Sequence, residues 1–395
     1  MLGISAGLLV RGLLTPRVTN GPIVTEPQSS LRIDQAYDPI RSPGDFSKIL
    51  EHRSIVLLTD GYSTPFLAKT AINLLRYRSQ HVAGLIDTQA AVRTTHELLG
   101  AGESTPVVAS LAAIPFADAL YVGIAPPGGR LPEAWRPIIL EAIRRRMDIV
   151  SGLHDFLADD PGYVQAAREY GSNLIDVRRN RLKTTGTGGN FRPECIRIHT
   201  VGHDCTIGKM VTSLEIQLGL AAAGRDAAFV ATGQTGIMIA GSGVPVDCVI
   251  SDFVSGAIED ICRSMDRHDF LLIEGQGSLT HPAYSAVTLG LLHGCAPDGL
   301  VYCYEAGRKF VKGFGEILIP DLERQLDFIL TAANFRHPCR LIGVAVNSRQ
   351  LTTDQAVAEV ERAERRFGVP ACDVYRDGPN KLVQACIDLR GALLG

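Results

Sequence analysis

The feature that most constrains the fold is a glycine-rich loop at residues 202–209, which reads Gly-His-Asp-Cys-Thr-Ile-Gly-Lys. A run rich in β-branched residues at 196–201 precedes this loop, and a helical pattern at 210–222 follows it. Small loop residues let successive backbone N–H groups face one phosphate, the helix N-terminus adds partial positive charge, and Lys209 adds a full charge. The pattern therefore predicts a phosphate-binding loop between a strand and a helix.

The lysine of this loop is followed by an unusual residue. Ser or Thr normally stands there, and its hydroxyl binds magnesium; this chain has Met210, and its nearest hydroxyl is that of Thr212. Metal-assisted phosphoryl transfer is therefore not favoured, and we assign no metal ligands. A site that holds a phosphate without cleaving it becomes an alternative. The residues predicted to bind the cofactor are Gly202, His203, Asp204, Cys205, Thr206, Ile207, Gly208, Lys209 and Met210.

The rest of the second half has the order of a nucleotide-binding sheet. Four apolar runs, each followed by a polar loop, are predicted strands: 226–232, 269–273, 300–304 and 341–346. The carboxyl ends of parallel strands share one edge of a sheet, where ligands bind. Glu274 takes the position of a Walker B acid and is a candidate catalytic residue. The predicted substrate-binding residues are Thr232, Gln234, Gln276, Arg308 and Asn347.

The first half alternates short apolar runs with helical patterns. This alternation predicts an α/β domain whose parallel sheet is covered on both faces. Asp87 ends the second predicted strand, where the acid of a dinucleotide-binding fold holds a ribose, but the first turn has only Gly61 in place of G-x-G-x-x-G. An ordinary loop residue is therefore a better interpretation of Asp87 than an acid that binds a nicotinamide cofactor. The predicted strands are 54–59, 82–86, 107–109, 119–124 and 148–150, and the predicted helices are 65–77, 89–99 and 132–146.

Length and composition indicate two domains. A chain of 395 residues with 46% hydrophobic side chains is long enough for two cores at roughly 100–200 residues per domain. The small polar stretch at 183–190 contains three glycines, and all nine cysteines lie after it. We therefore predict domains at 46–190 and 191–395. Residues 1–45 carry five prolines without periodicity, which predicts an irregular N-terminal arm.

The charge balance does not favour nucleic acid or membrane partners, so small-molecule substrates are predicted, and cysteine usage bears on the compartment. Lys and Arg total 39 against 42 Asp and Glu, so no basic excess is present to neutralise nucleic acid or an anionic membrane. No uncharged apolar stretch approaches the roughly 18 residues that span a bilayer, and no targeting segment is predicted. Nine cysteines without a C-x-x-C pair or a zinc spacing predict reduced thiols and a cytoplasmic protein.

Three segments together resemble one protein family. Residues 201–210, 231–238 and 273–278 are similar to a P-loop family of formerly unknown function that includes D-glutamate N-acetyltransferases. The five residues between the two loop glycines resemble the P-loops of dethiobiotin-synthetase-like proteins. The resemblance covers most of the chain and implies a Rossmann-like N-terminal domain, a P-loop domain and a homo-oligomer. Where the family commonly has Thr, this chain has His203 and Val211.

The resemblance implies an N-acyltransferase that moves the acetyl group of acetyl-CoA to D-glutamate or a similar acidic amino acid. In this mechanism the loop holds a CoA phosphate, and Glu274 or a neighbouring residue removes the ammonium proton. His203 is a second candidate base, although a histidine there can also simply donate to phosphate. Two alternatives stay open. One is a carboxylate ligase that needs ATP and magnesium, with the metal held by Glu274, Thr212 or Asp204; the other is a nucleotide-sensing module without turnover.

Overall fold

Within residues 45–395, which the computed structural model describes, the chain forms two six-stranded parallel sheets. The strands of the first sheet are β1 (Ile55–Leu58), β2 (Val82–Ile86), β3 (Val107–Val108), β4 (Ala119–Val122), β5 (Asp148–Ser151) and β6 (Leu174–Asp176). Their order is β3-β2-β1-β4-β5-β6, and every pair is parallel. All five predicted strands of this half are present, and β6 is an additional one.

The second sheet contains the glycine-rich loop at its centre. Its strands are β7 (Ile196–Gly202), β8 (Ala227–Val230), β9 (Phe270–Ile273), β10 (Gly299–Glu305), β11 (Arg340–Asn347) and β12 (Ala371–Cys372). Their order is β12-β11-β10-β7-β9-β8, again with parallel pairs throughout. Because β7 lies between β10 and β9, the loop after β7 is flanked by the ends of both neighbours. The expected α/β class is confirmed.

Helices cover the sheets, and polar caps decide where several of them begin. Around the first sheet they are α1 (Lys69–Tyr77), α2 (Thr95–Leu99), α3 (Arg136–Arg144) and α4 (Pro161–Tyr170). Thr94 and Glu97 form a capping box, so α2 begins directly after Thr94 and the helix predicted at 89–99 is wrong over its first six residues. Asp160 caps the start of α4 through two backbone N–H groups, and Gly171 ends α4 in the left-handed conformation.

Two further helices of the first half are shorter than their sequence patterns. The helix predicted at 65–77 begins at Lys69, because the residues before it form turns. The helix predicted at 132–146 begins at Arg136, because residues 133–135 form a 3₁₀ turn. The helices of the second half are α5 (Lys209–Ala222), α6 (Gln234–Ala240), α7 (Val254–Met265), α8 (Ser285–Cys295), α9 (Leu322–Asn334), α10 (Thr353–Phe367) and α11 (Asn380–Leu394).

A shared apolar core joins the two halves. Tyr121 of β4 belongs to the same buried cluster as Ile237 and Met238 of α6. Helix α1 lies against α6, and the hydroxyl oxygens of Thr70 and Thr235 are 3.0 Å apart. Burying a large apolar side chain contributes about 1.5–3 kcal/mol, so this cluster stabilises the contact between the halves. The contact places the start of α1 next to the edge of the second sheet.

The segment predicted to link the domains, 183–190, contains neither helix nor strand. It is nevertheless held in place, because the carboxylate of buried Glu259 accepts the backbone N–H groups of residues 187–189. The boundary after residue 190 stays a prediction. The N-terminal arm predicted at 1–45 lies outside the described residues, apart from Asp45.

The structure also describes the helix lengths and the cysteines of these residues. Over residues 45–395, no helix has the length and apolar character needed to cross a membrane. All nine cysteines are free thiols, as the cysteine spacing predicts.

Candidate active site between the P-loop and the first domain

The glycine-rich loop after β7 has the backbone geometry of a P-loop. Thr206 and Gly208 have φ values of +56° and +108°, which lie in the left-handed region that favours glycine. At Gly202 an added Cβ would lie 2.4 Å from the carbonyl oxygen of Cys303 in the neighbouring strand. Only glycine fits this close approach between strands. The loop leads directly into α5, whose N-terminus faces the space above the sheet edge.

Asp204 is the buried anion of the P-loop. Its Oδ1 accepts the backbone N–H of Cys205 at 2.7 Å, and its Oδ2 accepts from Arg308 Nη1 at 2.8 Å and from the backbone N–H of Lys312 at 2.9 Å. Burial alone raises the pKa of Asp204, but these donors outweigh burial and hold its pKa below the usual value. Asp204 is therefore ionised, and it fixes the segment containing Arg308 and Lys312 to the loop.

Lys209, the P-loop lysine, is buried at the start of α5. Its Nζ donates to the backbone carbonyl oxygen of Asp204 at 2.6 Å. Burial lowers the pKa of Lys209 because a desolvated ammonium is unfavourable. A phosphate oxygen would give this ammonium an anionic partner in place of a neutral carbonyl.

Glu274 lies at the carboxyl end of β9 and is 4% exposed. Its Oε2 accepts the backbone N–H groups of Thr232 at 2.9 Å and of Gly233 at 3.2 Å, while Oε1 accepts from the side chain of Gln276 at 2.9 Å. Burial raises the pKa of Glu274 to about 7 against the lowering effect of the two backbone donors. A carboxyl group with a pKa near neutrality can both accept and release a proton at physiological pH.

His203, the other candidate base, is held by the backbone. Its Nε2 accepts the backbone N–H of Glu305 at 3.1 Å, and its ring meets Tyr304 edge to face. Burial, reinforced by the charge of Arg308, lowers the pKa of His203 to about 3. The lone pair of Nε2 is therefore occupied and the ring is neutral, which does not favour proton transfer by this histidine. Nδ1 carries the proton and has no hydrogen-bond partner among the described residues, so donation to a phosphate stays a prediction.

The structure brings the residues predicted to bind substrate to one edge of the second sheet, where their side chains hold the site together. The hydroxyl of Thr232 donates to the carbonyl oxygen of Glu274 at 2.8 Å, and Gln276 donates to the Glu274 carboxylate. Asn347 donates from Nδ2 to the carbonyl oxygen of Ile207 at 3.2 Å. Substrate binding by these residues stays a prediction.

Two cations of the first domain lie close to predicted site residues and were not themselves among them. Arg178, which follows β6, donates from Nη2 to Oε1 of Gln234 at 2.8 Å. Burial and then the charge of Arg178 lower the pKa of Lys69, whereas Cys205 and Glu274 act in the opposite direction. Arg178 and Lys69 both lie in connections that follow strands of the first sheet. The rule that ligands bind at the carboxyl edge could therefore have identified them.

Segment 306–319 supplies a further cation from outside the P-loop. An antiparallel bridge between Phe310 and Leu318 closes this segment. The Nζ of Lys312 lies 3.9 Å from the centre of the Phe66 ring in the first domain, and burial lowers the pKa of Lys312 to about 8. The segment has no helical or strand periodicity, so the sequence gives no signal for this residue.

Among residues 45–395, two groups of side chains have donor atoms within 4.8 Å of one another and the ligand types of a metal site. They are His154 with Asp247 and Cys248, and Asp204 with Cys205 and His281. In the first group, Asp247 already accepts from Arg178 at 2.8 Å. His154 directs Nδ1 towards the sulfur of Cys248 and Nε2 towards Asp247, so the two partners lie against different nitrogens of one ring. This arrangement does not favour a shared ion.

Comparison with family models identifies the family. Residues 184–383 match a model described as a domain of unknown function, the P-loop domain of DUF1611. Residues 89–180 match the Rossmann-like N-terminal domain of the same family. The chain belongs to the DUF1611 family. The expected architecture, a Rossmann-like domain followed by a P-loop domain, is confirmed.

Individual relatives of this DUF1611 protein agree with the assignment. A protein of Pseudoalteromonas sp, named D-glutamate N-acetyltransferase, is 40% identical over 268 residues, which are 68% of this chain and 80% of the relative. A protein of Tritonibacter scottomollicae with the same name is 38% identical over 321 residues, which are 80% of this chain and 93% of the relative. These relatives confirm the expectation that the chain is an enzyme of the acyltransferase type.

A crystal structure from the family has the same fold. This DUF1611 protein of Anabaena variabilis is 32% identical to the chain, with a TM-score of 0.79. The match covers 85% of this chain and 99% of the Anabaena protein.

Proposed function

We propose that this enzyme transfers the acetyl group of acetyl-CoA to the amine of an acidic amino acid, with D-glutamate as the first substrate to test. The names of the two relatives support this substrate and this transfer. The observation in the structure that carries the proposal is the position of Glu274. This buried carboxyl group, with a pKa of about 7, interacts electrostatically with Lys209 of the P-loop and with Lys69 of the first domain.

In the proposed mechanism, the P-loop amides and Lys209 hold a phosphate of acetyl-CoA. The amino acid binds as its free amine, after loss of one proton from its ammonium group to solvent. The amine nitrogen attacks the thioester carbonyl carbon while Glu274 takes the second proton. The carbon–sulfur bond then breaks. Glu274 returns its proton to the departing sulfur, and CoA leaves as the free thiol. No nucleotide is hydrolysed, which is consistent with Met210 at the position of the magnesium-binding hydroxyl.

The cations of the first domain supply the recognition of an acidic substrate. Arg178 already donates through Nε and Nη2 to Asp247 and Gln234, so Nη1 of its guanidinium is the group that would donate to a substrate carboxylate. Lys69 adds a second positive charge to the same space. An amino acid with two carboxylates could contact both cations, whereas a neutral amino acid could bring a carboxylate to only one of them.

Compartment and assembly are part of this proposal. The free thiols support a reducing compartment such as the cytoplasm, and the resemblance to the family supports a homo-oligomer. Acetyl-CoA is the proposed co-substrate, and a carboxylate ligase that consumes ATP with magnesium is the competing reaction.

Two assays run side by side separate these reactions. Free CoA thiol and inorganic phosphate are measured over one panel of D- and L-amino acids, with and without a chelator. The transferase releases CoA only when an acidic amino acid is present, without ATP and with the chelator present. Phosphate release that depends on magnesium, with no CoA released from any acyl-CoA, would instead establish the ligase.

A further inference from the structure

A buried histidine outside the P-loop faces the loop. His281 follows the strand end of β9 by eight residues, is 2% exposed, and stacks on Tyr284 with ring centres 4.6 Å apart. Phe314 meets the other side of the ring edge to face at 5.4 Å. The Nε2 atom of His281 lies 3.8 Å from Oδ1 of Asp204, which is too far for a hydrogen bond. Among the described residues, Nε2 has no hydrogen-bond partner.

The other ring nitrogen shows where the proton of His281 resides. Nδ1 accepts the backbone N–H of Ala283 at 3.1 Å, so in the neutral ring the proton is on Nε2. The ring is neutral because burial lowers the pKa of His281, with only partial opposition from Asp204. The backbone of Lys312 lies near the ring and raises the pKa of His281, but the ring makes no hydrogen bond of normal geometry to it. His281 thus has a buried N–H donor near the P-loop that makes no well-formed hydrogen bond.

The charge nearest this donor is the Asp204 carboxylate, but three cations around the P-loop would attract an anion. Lys209, Arg308 and Lys312 surround the loop with positive charge, and the carboxylate of Asp204 already accepts three hydrogen bonds. Buried polar groups in native proteins are normally satisfied. An anionic oxygen above the loop would accept from Nε2 and would be attracted by the surrounding cations.

A metal ion on Asp204, Cys205 and His281 is the competing explanation, since their donor atoms lie within 4.8 Å of one another. Ligation through Nε2 would require the proton to move to Nδ1, which would then oppose the N–H of Ala283. Burial also raises the pKa of Cys205 and keeps its sulfur protonated, and metal binds the thiolate. The donor arrangement therefore fits an anion better than a cation.

We propose that the Nε2–H group of His281 donates a hydrogen bond to an oxygen of the phosphate held by the P-loop. The anion site is then built from two parts of the chain, the loop at 202–209 and the segment after β9. The identity of the phosphate as part of CoA rests on the proposed function. The hydrogen bond from His281 does not rest on the proposed function, because any phosphate bound in the loop would lie near Nε2.

The test compares three substitutions of His281 by calorimetric titration with two probes, CoA and inorganic pyrophosphate. His281→Gln places an amide N–H near the position of Nε2 and so keeps a donor there. His281→Asn places its amide near the position of Nδ1 and lacks that donor. His281→Phe keeps an aromatic ring without any donor. We expect Phe and Asn to weaken binding of a phosphate probe about tenfold, and Gln to restore most of the loss. His293→Phe in α8, where the histidine contacts a backbone carbonyl oxygen, is the matched control and should leave affinity unchanged.

The outcomes separate this inference from the proposed function. If pyrophosphate shows the expected order of affinities while CoA binds to no variant, the donor is supported and the identity of the ligand is wrong. Should His281→Phe fail to fold, the comparison of Asn with Gln decides alone. Equal affinity for pyrophosphate in all folded variants would overturn the inference. Zinc binding that competes with pyrophosphate and disappears in His281→Asn would also overturn it, in favour of the metal site.

Discussion

The ammonium group of Lys209 donates to the backbone carbonyl oxygen of Asp204, five residues earlier in the same loop, at a distance of 2.6 Å. Both residues are buried, and Asp204 is in turn held by Arg308 and the backbone of Lys312. The lysine is thus kept at the mouth of the loop by one hydrogen bond to a neutral oxygen. This bond is easily exchanged for a stronger contact with an anion.

Replacing Lys209 by Met tests this role of the lysine. A charge-assisted hydrogen bond contributes on the order of 1.5–3 kcal/mol, so Lys209→Met should weaken CoA binding about ten- to a hundredfold in a calorimetric titration. The fold should survive, because Met keeps the length of the side chain and removes a desolvated charge. Lys309→Met, at an exposed position of the neighbouring segment, is the control. Unchanged affinity in folded Lys209→Met would exclude the loop as the phosphate site.

Glu274→Gln keeps the size of the side chain and removes its ability to take a proton. We expect turnover to fall roughly 10²–10⁴-fold with little change in the affinity for CoA. Because the free amine becomes more abundant as pH rises, kcat/KM should rise with pH in both proteins, but in the wild-type enzyme the rise should be steeper below about 7, the pKa of Glu274, and this extra steepness should be absent from the variant. Glu259→Gln, at another buried glutamate that accepts backbone N–H groups, is the matched control. A Glu274→Gln enzyme as fast as the wild type would show that Glu274 is structural.

The raised pKa of Glu274 also predicts how stability depends on pH. Its pKa rises from 4.5 to about 7 on folding, so the folded protein binds this proton more tightly than the unfolded chain. The stabilisation is complete below the unfolded pKa and is lost as pH rises through the folded one, by about 3 kcal/mol. Urea unfolding between acidic and neutral pH should show this loss in the wild type relative to Glu274→Gln. Parallel stability curves for the two proteins would contradict it.

Arg178→Met tests recognition of the acidic substrate separately from cofactor binding. Loss of the guanidinium should raise the KM for D-glutamate about ten- to a hundredfold and leave the KM for acetyl-CoA unchanged. The adjacent Arg179, which pairs with Asp159 at the surface, provides the control variant Arg179→Met. If both variants have the wild-type KM for D-glutamate, the cations of the first domain do not bind the substrate carboxylates.

Local sequence patterns predict the sheets and the P-loop well, because each of these depends on neighbouring residues. The run at 196–201, the loop glycines and Lys209 form one continuous segment, and the structure has strand, loop and helix there. The helix predicted at 89–99 failed because the hydroxyl of Thr94 caps the backbone and stops the helix from extending towards the N-terminus. Periodicity alone does not reveal such a cap within an otherwise helical pattern.

The hydrogen-bond partners of side chains are harder to predict from the sequence than the places of the residues in the fold. The ends of the strands correctly place Thr232, Glu274 and Asn347 at one edge, but the sequence does not show that Thr232 and Asn347 bond to the protein itself. His281 and Lys312 lie in irregular segments without periodicity. Only the fold brings them to the P-loop, through contacts between residues distant in the chain.

The proposed acetyl transfer is tested most directly by following the acetyl group. The purified protein is incubated with acetyl-CoA labelled with ¹³C in the acetyl group and with D-glutamate, without ATP and with a chelator, and the products are analysed by mass spectrometry. If the proposed transfer is correct, labelled N-acetylglutamate forms in an amount equal to the free CoA released. Labelled acetate as the sole product, or labelled N-acetylglutamate that forms only when ATP and magnesium are added, would contradict it.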